Sequence, residues 1–251
     1  MIKNIENQKL IITYEGTKVI LPKEIRENID SNWKEFTNQN PNLWNGDVTR
    51  VSKYFENNNE IHILCQKTDY AHYLYEERKG LPLEFACVNI SAGCLLETID
   101  GYYVIGELDE KMSYPKMLQV SGGNVDEKDM ENGTVDIMKT ISREVMEEVN
   151  INLNDSSQVS DVVLKYIYNS EKGEQPKVQI FAKAKLNMTS NEMKEYYNSY
   201  FNYLNRNNLE LEFGKIHLID KSNAIEILEK MNNPKRDYLI PLIKEDLLNK
   251  A

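Results

Sequence analysis

Three glutamates, Glu144, Glu147 and Glu148, stand at spacing i, i+3, i+4 in a stretch where Met138, Ile141, Val145 and Val149 recur with helical period. An α-helix gathers the three into an arc of roughly 100°, beside the face that packs on the rest of the fold. Like charges so placed repel by roughly a few tenths of a kcal/mol per pair. They also lie toward the C-terminal half of the helix, where the macrodipole disfavours negative charge. Local propensity gains nothing from the cluster, so a cation is expected to compensate, and a hard divalent ion suits carboxylate ligands. A bare E-x-x-E-E pattern is otherwise a solvated helix face. Two features set this one apart: the double glycine Gly122-Gly123 after an apolar strand, and Arg143 directly before Glu144.

The elements that must position these residues follow from periodicity and turn chemistry. Residues 10–14 and 17–20 read as strands flanking a hairpin turn at Glu15-Gly16. Pro22 is suited to the first turn of a helix, and Ile25, Ile29, Trp33 and Phe36 form its stripe until Asn40-Pro41-Asn42 breaks it. Strands are expected over 48–55 and 60–66, joined by Asn57-Asn58-Asn59, and a short helix over 70–78. Residues 84–98 read as a strand or a bent pair, and Asp100-Gly101 as a hairpin turn into a strand over 102–106. A strand at 117–120 precedes the double glycine, and the glutamate helix is predicted over 134–150. Strands over 159–168, 177–186 and 212–218, and helices over 191–203, 223–231 and 236–249, complete the chain. Strand runs broken by helices, without regular βαβ alternation, predict an α+β sandwich with a mixed sheet.

The 251 residues suffice for one large domain or a catalytic domain with a smaller lobe. A net charge of −10 argues against a nucleic-acid backbone as the main partner, since phosphodiester binding wants a basic surface. It leaves room for a small phosphorylated ligand, because a local site and its metal override the global field. No run approaches the roughly 18 apolar residues of a membrane span, and the N-terminus lacks the apolar core of a secretory signal. Cys65, Cys87 and Cys94, an odd and widely spaced set, read as reduced, partly buried thiols of a cytoplasmic protein. His62, His72 and His217 show no ligand spacing. Trp44 and Tyr70 could flank a base but are expected to be buried in the N-terminal region. Tyr166, Tyr168, Tyr196, Tyr197, Tyr200 and Tyr203 are expected to serve packing, and Glu192 and Glu195 to lie on a solvated helix face.

The segment Arg143-Glu144-Val145-Met146-Glu147-Glu148-Val149-Asn150-Ile151 resembles the second half of the Nudix box, G-x5-E-x7-R-E-U-x-E-E-x-G-U, with U apolar. The one departure there is Asn150 in place of Gly, and both residues tolerate a left-handed helix end. Gly123 corresponds to the box glycine, but its distance to Arg143 is six residues longer than the pattern, and the position eight before Arg143 is Val135. No role is therefore carried over from the first box glutamate. The polar stretch 127–133 reads as an enlarged loop turning at Asn132-Gly133. Across about residues 40–220, Asn40-Pro41-Asn42-Leu43-Trp44-Asn45-Gly46, Thr68-Asp69-Tyr70 and the segment from Ser190 to Tyr197 look like the animal and plant Nudix pyrophosphatases that act on UDP-sugars.

The resemblance implies a Nudix α/β/α sandwich over residues 84–251, with an N-terminal α+β lobe over 1–83. It implies hydrolysis of a nucleoside diphosphate derivative, a UDP-sugar giving UMP and sugar 1-phosphate, with Mg²⁺ (or Mn²⁺) as cofactor. ADP-ribose, another dinucleotide-type substrate, and a non-catalytic nucleotide-binding role are the alternatives, because substrate choice lives in loops outside the box. Glu144 and Glu148, one turn apart, are the expected metal ligands, with Glu147 completing the shell and the Gly122 carbonyl reaching the metal. Gly122 and Gly123 form the phosphate loop, and Arg143 orients a carboxylate. The expected partner is a small molecule, not a nucleic acid or a membrane, with the protein a monomer or homodimer.

Overall fold

Alternation of apolar and polar residues at the N-terminus gives two strands, β1 (Ile2–Asn4) and β2 (Lys9–Lys18), followed by α1 (Lys23–Gln39), β3 (Asp47–Asn57), β4 (Glu60–Asp69) and α2 (Tyr70–Lys79). The computed structural model describes residues 1–39, 43–170 and 177–248, so the predicted breaker Asn40-Pro41-Asn42 and the last residue of the predicted final helix, Asn249, lie outside the described residues. The hairpin expected at Glu15-Gly16 does not form. Both of its flanks run parallel to the same strand, with Tyr14 opposite Cys65 and Lys18 opposite Lys67. Four residue steps on β2 thus face two on β4, which is a bulge, and Gly16 at φ +68° supplies its left-handed residue. The turn at Asn58 does form, at φ 53°, and closes β3 onto β4 with Asn57 opposite Glu60. Asp69 ends β4 and caps α2 by accepting from the His72 amide at 3.1 Å.

The second part opens with β5 (Asn89–Glu97), β6 (Tyr102–Leu108), β7 (Leu118–Gln119), β8 (Ser121–Asn124), β9 (Met130–Glu131) and β10 (Thr134–Val135). It continues with α3 (Ile137–Val149), β11 (Val159–Asn169), β12 (Lys177–Leu186), α4 (Ser190–Arg206), β13 (Phe213–Asp220), α5 (Ala224–Lys230) and α6 (Leu239–Leu248). β5 is the centre: parallel to β12, antiparallel to β6 and β8, and touching the β3–β4 ribbon through one pairing, Arg50 with Asn89. β12 pairs with β11 and β11 with β1, while β6 pairs with β13 and β7.

The pleat of β5 decides what lies on each face. Ala92, Cys94 and Leu96 join Ile141, Val145 and Val149 of α3 in one core. Leu95 joins Tyr103, Ile105, Tyr166 and Phe181 with Leu228 of α5 and Leu239, Leu242 and Ile243 of α6 in a second. Helices thus cover a mixed sheet from both sides, the expected α+β, α/β/α arrangement.

The glutamate helix starts later than periodicity predicts. Asn132 and Gly133, at φ 51° and 77°, make the hairpin turn expected of Asn-Gly, and Thr134 and Val135 return as a strand that pairs with Glu131, Met130 and Thr13. Asp136 then caps α3, its Oδ1 accepting from the amides of Met138 and Lys139 at 3.1 and 3.2 Å. All three cysteines are free and buried, with burial pushing the Cys65 and Cys87 thiols up to about 12. Among the described residues no helix is long and apolar enough to cross a membrane.

Candidate active site

Helix α3 buries Ile141, Val145 and Val149 fully against the sheet, and its winding carries Glu144 and Glu148 in beside them, Glu148 to 3% exposure. Glu147 turns outward, its side chain 57% exposed, with Arg143 Nη1 at 3.4 Å from its carboxylate. A third acid reaches the two buried ones from outside the helix: Glu212, directly before β13. Carboxylate oxygens of Glu144, Glu148 and Glu212 all lie within 4.8 Å of one another. The structure thus brings together two of the three glutamates expected as ligands and places Glu212, not Glu147, with them. No spacing signal in the sequence marks Glu212; only the pairing of β13 with β6 delivers it.

Strand β8 brings the glycines alongside. Gly122 pairs with Gly93 of β5, and its amide donates to Glu148 Oε2 at 2.9 Å. A Cβ at Gly122 would collide with the Ala92 carbonyl and the Gly93 backbone, and one at Gly123 would sit 2.5 Å from Glu144 Oε1. One glycine therefore lets β8 lie on β5, and the other leaves room for a carboxylate.

Burial, then the neighbouring Glu212 and Glu144 charges, pushes the Glu148 carboxyl well above the ordinary carboxylate range. Burial likewise raises Glu212, and raises Glu144 to about 7 despite Arg143 beside it. Glu148 Oε1 is buried and has no hydrogen-bond partner among the described residues, and the Glu148 and Glu212 carboxylates lie close together. Two apposed carboxylates require a shared proton or a cation between them. Oxygen donors, a buried unpartnered oxygen and a side-chain-free strand alongside fit a hard divalent ion.

Between about 4.5 and 7 the folded protein holds protons on Glu144 that the unfolded chain has released, so metal-free stability falls as pH rises through that window, by about 3 kcal/mol for this group. Glu148 and Glu212 act in the same direction. A metal must displace those protons, so Mg²⁺ affinity is expected to drop at least about 10-fold from pH 8 to pH 6. The Mg²⁺-induced rise in Tm should accordingly be larger at pH 8. An equal rise at both pH values in calorimetric scans contradicts the assignment.

Arg143 spans the carboxylates. Nη1 donates to Glu144 and Glu147, Nη2 to Asp129 at 2.9 Å and to the Asn124 carbonyl at 3.2 Å, and Nε to Asp129 at 3.4 Å. Asp129 is buried and also accepts from Thr140 Oγ1 and the Asp126 amide, both at 3.0 Å. Burial opposes its charge, but the Arg143 contact and the amide outweigh it and hold Asp129 below the usual range. Counted forward from Gly123, Asp129 occupies the place of the first box glutamate, and the six extra residues follow it as the β9–β10 hairpin. Counting back from Arg143 reaches Val135, a buried strand residue on that hairpin. The forward count was the available signal. Asp129→Ala should release Arg143 from one side of Glu144 and weaken Mg²⁺ binding by about 10–100-fold. Unchanged affinity in a calorimetric titration would remove this role.

Asn150 ends α3 in the left-handed conformation, φ 58° and ψ 31°, as the exchange for glycine anticipates. The Tyr196 hydroxyl donates to its carbonyl at 2.6 Å and accepts from its side-chain amide at 2.8 Å. Tyr197 and Tyr200 donate to the carbonyls of Phe213 and Glu147, a packing and bracing role. Glu192 closes a capping box with Thr189, and Glu195 is exposed. His62 stacks on Phe55, His72 is buried between Thr68 and the Phe85 carbonyl, and His217 meets Glu107, each far from the others in the fold. Tyr70 packs edge-on against Trp33. Trp44 is not buried as expected: it is 78% exposed, its ring lying over Gly46.

Two cavities border Asn124. One, of about 420 Å³, is lined by Tyr14, Trp44, Lys67, Arg143 and Glu144. The other, of about 220 Å³, is lined by Asn89, Ser91, Gln179, Gly122, Glu212 and Arg236 among others. Glu144 lines the first and Glu212 the second.

No protein-family model and no curated protein sequence matches the chain. Among solved structures it is similar to a NUDIX hydrolase from Alicyclobacillus acidocaldarius (9% identity, 63% of this chain and 90% of that chain, TM-score 0.43). It is also similar to the MutT protein from Methanosarcina mazei Go1 (16%, 65% and 96%, TM-score 0.40). A third is the NUDIX domain of Shewanella oneidensis NrtR, solved with ADP ribose (13%, 70% and 96%, TM-score 0.40).

Proposed function

We propose that the chain is a pyrophosphohydrolase of the Nudix type that cleaves the diphosphate bond of a nucleoside diphosphate derivative, a UDP-sugar giving UMP and sugar 1-phosphate. The observation that carries this reading is the convergence of the Glu144, Glu148 and Glu212 carboxylates beside the two glycines of β8. The resemblance of the segment 143–151 to the Nudix box supports it. In this reading residues 84–251 form the hydrolytic unit, and residues 1–83 are an accessory lobe that frames one cavity through Tyr14, Trp44 and Lys67.

Glu144, Glu148 and Glu212 would hold Mg²⁺ or Mn²⁺. The ion, when bound, neutralises phosphate charge and makes water a competent nucleophile at neutral pH. The chain's own residues prepare that site. The Gly122 amide fixes Glu148 Oε2 and leaves Oε1 free. Asp129 holds Arg143, and Arg143 holds Glu144 against the opening at Gly123. Glu147 meets Arg143 from the solvent side. The reading extends to a cytoplasmic protein, in line with three buried free thiols.

The test is hydrolysis of UDP-glucose with Mg²⁺, followed by ³¹P NMR, with ADP-ribose and a dinucleoside polyphosphate in parallel. Release of UMP and glucose 1-phosphate supports the reading in full, and cleavage of ADP-ribose alone moves the substrate. Ligand binding without turnover at any Mg²⁺ or Mn²⁺ concentration contradicts it and makes the chain a binding module.

A further inference from the structure

The smaller cavity has a floor that the metal cluster does not explain. β5 and β12 run parallel there with Asn89 opposite Lys177, Ser91 opposite Gln179 and Gly93 opposite Phe181. Alternate residues of a strand share a face, so Asn89, Ser91, Lys177 and Gln179 form two neighbouring polar rungs on one side of the sheet. That is the side whose next rung turns apolar with Phe181 and Leu95, covered by α5 and α6. A polar pair at this depth departs from the pattern that builds the rest of the face.

Three oxygens on these rungs, Asn89 Oδ1, Ser91 Oγ and Gln179 Oε1, are buried and have no hydrogen-bond partner among the described residues. Ser91 itself is 7% exposed, Asn89 spends its amide on Asn124 Oδ1 at 2.9 Å, and all three residues line the cavity. Buried polar groups are almost always paired, and an unpaired cluster in one cavity marks a place where a partner belongs. The cavity, about 220 Å³, has room for several waters or for one ring-sized group. Glu212 lines it as well as joining the metal cluster, so its contents sit against the reacting centre.

We infer that Asn89, Ser91 and Gln179 read the hydroxyls of a polyhydroxylated ring, the arm of the substrate on one side of the diphosphate. The inference rests on the diphosphate-hydrolase reading and adds the residues that select the substrate. Several acceptors side by side require several donors on one small group. Uracil presents one ring N–H and adenine one amino group, whereas a sugar ring presents a hydroxyl on nearly every carbon. A site built to bond hydroxyls also discriminates strongly against a ligand lacking them, because its own buried groups are then left unpaired.

The experiment separates this inference from turnover. Binding to the full chain is measured calorimetrically in Mg²⁺ with methylene-bridged analogues, which keep the diphosphate charge and cannot be cleaved at the bridge. One analogue carries glucose on UDP, one carries ribose on ADP, and for each nucleotide a partner carries a methyl group in place of the sugar. The wild-type chain should prefer one sugar-bearing analogue over its methyl partner by at least about 10-fold, and Gln179→Leu with Ser91→Ala should bring that ratio to about 1. Equal affinity for sugar and methyl analogues in the wild-type chain, or a preference that survives the double substitution, overturns the inference. Failure of the hydrolysis assay would instead count against the enzymatic reading, and the ratio would still decide whether Ser91 and Gln179 read hydroxyls.

Discussion

Glu148→Gln is expected to lower the turnover number by at least about 10²-fold at saturating Mg²⁺, the scale of losing a transition-state electrostatic contact. The substitution changes charge and little else. Glutamine is nearly isosteric, and its oxygen can still accept from the Gly122 amide that now bonds Glu148 Oε2 at 2.9 Å. Its amide nitrogen would supply the Glu212 carboxylate with the donor that Glu148 Oε1 does not. Glutamine needs no proton to be buried, whereas Glu148 must take one up on folding, so the substitution should leave the fold intact and raise Tm in the absence of metal. Loss of activity with gain of metal-free stability is a combination that a merely structural glutamate would not give. A rate unchanged in saturating Mg²⁺ would remove Glu148 from the site.

The largest stability effect is expected on the opposite face of the sheet. Asp246 of α6 is 2% exposed and accepts from Tyr103 and Tyr166 hydroxyls at 2.5 and 2.7 Å and from Lys183 Nζ at 2.8 Å. Glu97 bridges Lys183 to Lys221, so one acid of the final helix fastens it to β6, β11 and β12. Asp246→Ala leaves two buried hydroxyls and part of a buried ammonium without their acceptor, at a cost of about 3–5 kcal/mol. Urea unfolding at pH 7 measures it, and a loss below about 1 kcal/mol contradicts the network's role. Burial opposes ionisation of Asp246, but Lys183 and the hydroxyls outweigh it and hold its carboxyl below the usual range. Its contribution is therefore present above the unfolded value near 4 and lost as pH falls through the lower folded one. Acid should erase the difference between the two proteins.

Much of this architecture is legible in residue order, for reasons that are local. The stripe Ile141, Val145, Val149 determines which side of α3 is buried, and that placement draws Glu144 and Glu148 inward while leaving Glu147 outside. Asn132-Gly133 and Asp100-Gly101 carry their turn geometry in their own backbone preferences. What the sequence conceals is set by contacts between distant segments. Glu15-Gly16 reads as a reversal until β4 offers one strand for both flanks. Thr134 and Val135 fit a helix start until Thr13 and the hairpin claim them. Glu212 has no neighbour in sequence that hints at metal chemistry, and Trp44 has no pattern that says it faces a cavity. Asp129 is an intermediate case, since the count from Gly123 finds it only when the insertion is placed after it.

Glu144, Glu148 and Glu212 are expected to hold one divalent ion together. A crystal soaked in Mn²⁺ and read by anomalous scattering tests it directly. The expected result is an anomalous peak bonded to carboxylate oxygens of all three residues, at the roughly 2 Å of a hard divalent cation. A peak absent from this cluster at saturating Mn²⁺, or bonded to Glu147 and exposed acids instead, would contradict it.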